Sequence, residues 1–248
     1  MALDSAVLLA DNGAVTGIAL YLACTVAAAV AVASGMPVPG PDAQRRVRGL
    51  LGLGSVYLAV AIALGGWTTT GRPWWQCLAL VAGGLVLGNA VGLLVRFQRC
   101  SNRVGRWAGG LLGPAVPAAR FGGGLALVLG LNPLGWIAGL LAGMTGDWRL
   151  LVFKGALDSL GVWTTGAGRP ASAALGAAMV ALGQAGCVGI GGMLRVSLEG
   201  TDAVAMFGIA AGVYLALLPL VLFGIARVPW ANLFLSLPTV LVLARYWH

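Results

Sequence analysis

Apolar stretches of about twenty residues recur along this chain, each closed by a short loop that carries arginine, glycine or proline. A bilayer's hydrocarbon core takes about 20 residues of apolar helix to cross, so this spacing restricts the chain more than any motif in it. The runs show no alternation of period two, which a membrane β-strand would need. With backbone polar groups forced to pair internally in lipid, the runs are expected to be helices. The expected fold class is all-α: a polytopic transmembrane helical bundle of seven to eight spans, in a single integral membrane domain over residues 1–248.

Composition agrees. Hydrophobic residues make up 59% of the chain and charged ones 9%, with a mean hydropathy of +0.93, which leaves too little polar surface to coat a soluble globule. The net charge of +8 does not indicate nucleic acid, because arginines kept in cytoplasmic loops account for it. With the N-terminus outside, Arg45, Arg46, Arg48, Arg96, Arg99, Arg103, Arg106, Arg120, Arg169 and Arg227 fall inside. Only Arg72, Arg149, Arg195 and Arg245 fall outside. The chain is therefore expected to cross its membrane many times with its N-terminus outside. The N-terminal segment lacks a positive n-region and carries Asp4 and Asp11, so the first span is expected to be retained.

The expected spans are about Gly13 to Ser34, Gly49 to Trp67, Gln76 to Val95, Phe121 to Met144, Leu150 to Thr165, Ala171 to Leu194, Ala203 to Gly224 and Trp230 to Tyr246. The fourth is interrupted by Gly130-Leu-Asn-Pro-Leu-Gly135, where Pro133 removes a backbone donor. The fifth is short and is read either as a span or as a re-entrant segment. Ser55-Val-Tyr-Leu-Ala59 returns as Gly212-Val-Tyr-Leu-Ala216, 157 residues later. That offset suggests an inverted repeat of three-helix units, residues 13–96 and 170–248, around a central segment 97–169. Gly84, Gly88 and Gly92, and Gly135, Gly139 and Gly143, stand at spacing four. Small residues so arranged let helix backbones approach closely in lipid.

Between the third and fourth spans, Phe97, Cys100, Val104 and Trp107 run beside Arg96, Arg99, Arg103 and Arg106. An apolar stripe next to an arginine stripe suits a helix lying on an anionic lipid surface, and a plain cytoplasmic loop suits the same residues.

Chemistry concentrates near Thr145–Asp158. Lys154 and Asp158, four apart, share one helix face, and a carboxylate at mid-helix costs about 2.5–3.5 kcal/mol on insertion scales. Such a residue is expected to face an interior, either on a solute path or in a structural ion pair. Asn132, at the interrupted span, and Asp147, in the loop before segment five, complete the expected binding residues. Capping of the following helix is the plainer role for Asp147. Asn89, Gln184, Tyr57 and Tyr214 are further polar groups at membrane depth, read first as helix-to-helix hydrogen bonders.

His248 is the sole histidine and Cys24, Cys77, Cys100 and Cys187 lie far apart, so metal and cofactor sites are not expected. The sequence shows no phosphate-binding GxxxxGK[ST], GxSxG or HExxH pattern. An enzyme is not expected.

Three motifs stand out: Lys154-Gly-Ala-Leu-Asp158 preceded by Gly146-Asp147, Arg227-Val-Pro-Trp-Ala-Asn-Leu233, and Leu87-Gly-Asn-Ala-Val-Gly92 with its arginine-rich sequel. In chain order these motifs are the Leu87, the Lys154 and the Arg227 segments, and together they resemble the YqgA-like or YdfK-like bacterial integral membrane proteins, the family of domain of unknown function 554. The resemblance runs from about Met36 to the C-terminus and implies a polytopic inner-membrane protein, loosely described as a transporter, with no substrate. Two functions stay open. One is a transporter or channel for a small solute or ion, with Lys154 and Asp158 at its polar site. The other is a non-transporting membrane scaffold that binds a partner or anionic lipid through Arg96–Arg106. The lipid bilayer is the expected partner in both, with a homo-oligomer compatible with either.

Overall fold

The computed structural model of the chain describes residues 2–37, 39–97, 99–100, 103, 133–165, 170–226, 228 and 230–247. The described elements are helices: α1 (Ala2–Ala33), α2 (Pro41–Thr70), α3 (Trp74–Leu94), α4 (Pro133–Thr145), α5 (Arg149–Thr165), α6 (Pro170–Ser197), α7 (Ala203–Leu222), α8 (Trp230–Phe234) and α9 (Ser236–Tyr246). Among the described residues five segments are long and apolar enough to cross a membrane: Val15–Ala33, Pro41–Thr70, Trp74–Leu94, Val180–Ser197 and Ala203–Leu222. Leu134–Thr145 and Asn232–Tyr246 are shorter apolar helices. The protein is an all-helical, multi-pass membrane protein. Large apolar side chains such as Leu50, Leu53, Val86, Leu94, Leu182 and Met193 lie outward. Water would penalise so much exposed apolar surface, whereas lipid tails do not.

The chain divides into two compact units, each assembled from separated stretches. The first comprises 1–47 and 101–191, and glycine sets its packing. A methyl group on Gly13 would stand 2.6 Å from the Gly146 carbonyl oxygen, one on Gly17 2.7 Å from Trp148 Cβ, and one on Gly155 3.2 Å from Tyr21 Cα. The partner numbers rise together, so α1 and α5 run parallel. A Cβ on Gly139 would fall 2.7 Å from Cys187 Cβ, and one on Gly191 2.4 Å from the Leu140 carbonyl oxygen and 3.0 Å from Gly143 Cα. That rising register makes α4 and α6 parallel as well. The intervening α5 therefore carries the chain back, a reversal begun at Gly146, whose φ of 74° is in the left-handed region. Segment five is one unbroken helix of 17 residues.

The second unit comprises 48–100 and 192–248. Here the first glycine ladder does what its spacing suggests. Methyl groups on Gly84, Gly88 and Gly92 would collide with Val240 Cγ2, Ser236 Cα and the Asn232 carbonyl oxygen, at 2.3, 2.2 and 2.6 Å. Partner numbers fall as ladder numbers rise, so α3 lies antiparallel to α8 and α9. The same holds for α2 and α7. Gly52 and Gly66 stand seven residues either side of Ala59, and meet Phe223 and Ile209, which stand seven either side of Ala216. At one end of the unit Arg72 Nε donates to Asp202 Oδ2 at 2.5 Å and Arg72 Nη2 to the Trp247 carbonyl at 3.0 Å, while Arg245 reaches the Ser197 carbonyl at 3.2 Å.

The first span stands as expected, at Val15–Ala33, within the longer helix α1. Two expectations change. The last span is not continuous: it breaks at Leu235 between α8 and α9, because Pro238 has no N–H to direct at Phe234, one turn back. Arg96 stands outside its expected stripe helix, since it takes a left-handed φ of 52°. Its carbonyl instead accepts from the N–H groups of Arg99 and Cys100, at 2.8 and 3.2 Å, so a new helical turn opens there. Arg106 lies outside the described residues, as do Asn132 and the first half of the interrupted fourth span.

A buried polar cluster on four helices

Four helices of the first unit contribute to one polar cluster. On α5, Lys154 and Asp158 project from the same face, one turn apart, and the Lys154 ammonium donates to Asp158 Oδ1. Lys154 is only 1% exposed, so its stem does not reach an interface and its charge is met inside the protein. Asp158 keeps 19% of its side-chain surface open. Its second oxygen, Oδ2, accepts from the Tyr21 hydroxyl of α1 at 2.8 Å. Each carboxylate oxygen thus has a charged or hydroxyl donor, as a carboxylate in low dielectric requires. Lysine before aspartate is the weaker helical order for such a pair, and the hydroxyl from a second helix compensates for it.

The remaining two helices supply Gln184 and Gly135. Gln184, on α6, is 2% exposed, and among the described residues neither its amide nitrogen nor its amide oxygen has a hydrogen-bond partner. A Cβ on Gly135 of α4 would stand 3.0 Å from Gln184 Nε2 and 3.7 Å from Lys154 Cε. The bare glycine therefore lets α4 pack closely where the amide and the lysine stem converge. An amide left without partners in such a place costs on the order of 1–3 kcal/mol.

Asp147 has a different occupation. Its Oδ1 accepts from the Arg149 backbone N–H at 3.0 Å, satisfying the first N–H of α5 from two residues upstream. Arg149 also grips both carboxylate oxygens, at 2.9 Å (Nε to Oδ1) and 2.5 Å (Nη2 to Oδ2). Burial raises the Asp147 pKa, but the hydrogen bonds and charge of Arg149 outweigh it and hold the carboxyl below its usual range. Asp147 thus stands apart from the Lys154–Asp158 cluster, at the start of its helix.

Sequence reasoning singled out Lys154 and Asp158 and treated Gln184 only as a helix-to-helix hydrogen bonder. It missed Tyr21, whose position in the middle of an alanine- and valine-rich run was the available signal. Of the matched tyrosines, Tyr57 is 70% exposed and Tyr214 is 1% exposed, so equal sequence context gave unequal surroundings.

No curated protein and no solved structure matches this chain. One family model does, over residues 16–245, nearly the whole length and including the Tyr21, Lys154, Asp158 and Gln184 positions. The chain belongs to the family described as "Protein of unknown function (DUF554)".

Proposed function

We propose that this protein is a transporter or channel that passes a small solute or ion across a cytoplasmic membrane, with the Lys154–Asp158 pair at its polar site. One observation carries the reading: a lysine 1% exposed, paired with an aspartate, sits beside a glutamine amide that has no partner among the described residues. Intramembrane charge is expensive and tends to mark a solute or proton path. The ion pair alone would serve structure equally well, and the idle amide is what tips the balance toward a ligand. Asn132, which lies outside the described residues, is proposed for the same path on its sequence position alone.

The expected architecture supports the same reading. Eight crossings with an N-terminus outside follow from the arginine distribution, and the antiparallel register of α2 with α7, centred on Ala59 and Ala216, is compatible with an inverted repeat. The break at Leu235 adds the kind of discontinuous helix that such repeats use. The scaffold reading rests on Arg96, Arg99 and Arg103, which are exposed. Reconstitution separates the two. Purified protein in liposomes should move at least one member of a panel of labelled small ions, carboxylates and neutral solutes, and Asp158→Asn should abolish that flux while still folding. Flux that is unchanged in Asp158→Asn removes the pair from the path, and loss of function on charge reversal of Arg99 and Arg103 alone favours the scaffold.

A further inference from the structure

The two ends of the second unit hold their arginines in opposite ways. Arg48 stands on α2 four residues before Gly52, which meets Phe223, and Arg96 stands four residues after Gly92, which meets Asn232. With α2 antiparallel to α7 and α3 antiparallel to α8, the start of α2 and the end of α3 share one end of the unit. Arg48, Arg96 and Arg99 are exposed there, and among the described residues none of their guanidinium groups has a hydrogen bond or an ion pair. At the other end Arg72 is held by Asp202 and the Trp247 carbonyl, and Arg245 by the Ser197 carbonyl. One end satisfies its cations from within the chain, and the other presents them outward.

Helix length places both ends in the bilayer. Arg48 to Trp67 on α2 and Trp75 to Leu94 on α3 are each 19 residues apart, about 28 Å of helix at 1.5 Å per residue. A bilayer's hydrocarbon core is about 30 Å thick. Trp67, Trp74 and Trp75, exposed near Arg72, stand where an interfacial aromatic belt belongs. Arg48, Arg96 and Arg99 then fall at the headgroup level of the opposite leaflet. The apolar surface runs up to them: Leu50 and Leu53 follow Arg48, and Leu93, Leu94 and Val95 precede Arg96, all more than half exposed.

Arg96 adds an observation of a different kind. It follows the Val95 C-cap of α3 with a left-handed φ of 52°, a position that glycine usually fills because a Cβ crowds the backbone there. An arginine in a conformation that suits glycine calls for a role of its side chain. Among the described residues that side chain bonds to nothing, so the role lies toward the lipid.

We infer that Arg48, Arg96 and Arg99 form a docking surface for anionic phospholipid, with the guanidinium groups on headgroup phosphate and the acyl chains along Leu50, Leu53 and Leu94. A guanidinium presents paired N–H donors that match two phosphate oxygens. The surface stands whether or not the protein moves a solute.

The test uses the full chain purified in detergent. Thermal unfolding is followed as phosphatidylglycerol, phosphatidylcholine or inorganic phosphate is added. Phosphatidylglycerol should raise the melting temperature, and the rise should shrink between about 50 and about 500 mM salt. Phosphatidylcholine, whose choline offsets its phosphate, should not raise it. Arg48→Gln and Arg99→Gln should each weaken the apparent lipid affinity about fivefold, the factor for about 1 kcal/mol per arginine at 1.4 kcal/mol per tenfold. Arg96→Gly relieves the left-handed backbone. It should melt no lower than the wild type without lipid and yet lose the same factor. Arg245→Gln removes an arginine from the other end and should leave the lipid affinity as it was, whatever it does to the melting temperature. Equal stabilisation by phosphatidylcholine or by inorganic phosphate, a rise insensitive to salt, undiminished affinity in all three variants of the arginine end, or an equal loss in Arg245→Gln would each overturn the inference.

Discussion

The Tyr21 hydroxyl donates to Asp158 Oδ2 at 2.8 Å, and the carboxylate's other oxygen takes the Lys154 ammonium one helical turn away. This contact joins α1 to α5 across 137 residues of sequence and fixes the one carboxylate that the apolar bundle of the first unit holds against a buried lysine. Parallel packing of the two helices, made possible by Gly13, Gly17 and Gly155, brings the tyrosine to that level.

Replacing Tyr21 with Phe removes the hydroxyl without changing the ring. A hydrogen bond to a charged group contributes about 1.5–3 kcal/mol, so the denaturant midpoint of the purified protein should fall accordingly. Solute flux should fall with it, since Asp158 is left with one donor and a freer rotamer. A midpoint equal to wild type would show that the hydroxyl is better placed toward another partner.

Single removals at the ion pair should be costly in an unequal way. Lys154→Met leaves Asp158 as an uncompensated acid, with Tyr21 still attached. Asp158→Leu strands an ammonium that is 1% exposed, and stranding a buried charge typically costs about 3–5 kcal/mol. Chemical unfolding of the two variants should therefore place Asp158→Leu as the less stable. The opposite ranking would indicate that Lys154 finds a second acceptor.

Neighbouring glycines on α3 provide a matched pair. A Cβ on Gly84 would lie 2.3 Å from Val240 Cγ2 and 3.1 Å from its Cα, whereas one on Gly83 meets nothing within 4 Å. Gly84→Ala should destabilise the protein by about 1–3 kcal/mol, the usual cost of overpacking. Gly83→Ala should be neutral, or more stable by up to about 1 kcal/mol from helix propensity. Equal melting temperatures for the two variants would deny the close approach of α3 to α9.

The Asp147–Arg149 contact gives a pH dependence with a defined sign. The folded pKa of Asp147 lies below its unfolded value of about 3.8, so the stabilisation is fully present above that unfolded pKa. It is lost as the pH falls through the lower, folded pKa. Asp147→Asn should leave melting at pH 7 slightly reduced and flatten the acid limb of the stability profile below about pH 4. A variant whose acid limb is as steep as the wild type's would assign that limb to other carboxylates. Because Arg149 is about half exposed (52%), the effect should be modest.

Much of the fold was legible because lipid leaves few options. Run lengths marked the helices, and the ladder at Gly84, Gly88 and Gly92 marked a close helix contact before any partner was known. What the ladder could not say was which helix it faced, since spacing four fixes a stripe and not its neighbour. The break at Leu235 was encoded by Pro238 but hidden inside a run that hydropathy reads as continuous. The site was half legible. Lys154 and Asp158 announce themselves through charge in an apolar stretch. Tyr21 and Gln184 do not, because a lone hydroxyl or amide at membrane depth is common as a helix-to-helix bond, and only the packing reveals one bonded to Asp158 and the other with no partner among the described residues.

The most direct test of the central claim removes both charges at once, in Lys154→Met/Asp158→Leu, and measures stability and proteoliposome flux on the same preparation. Replacing a buried ion pair by apolar residues of similar volume is often neutral or stabilising. The account predicts a double variant that recovers most of the wild-type unfolding midpoint and moves none of the solute that the wild type carries. A double variant that folds as well as the wild type and still carries that solute at the wild-type rate would show that the pair is not part of the path.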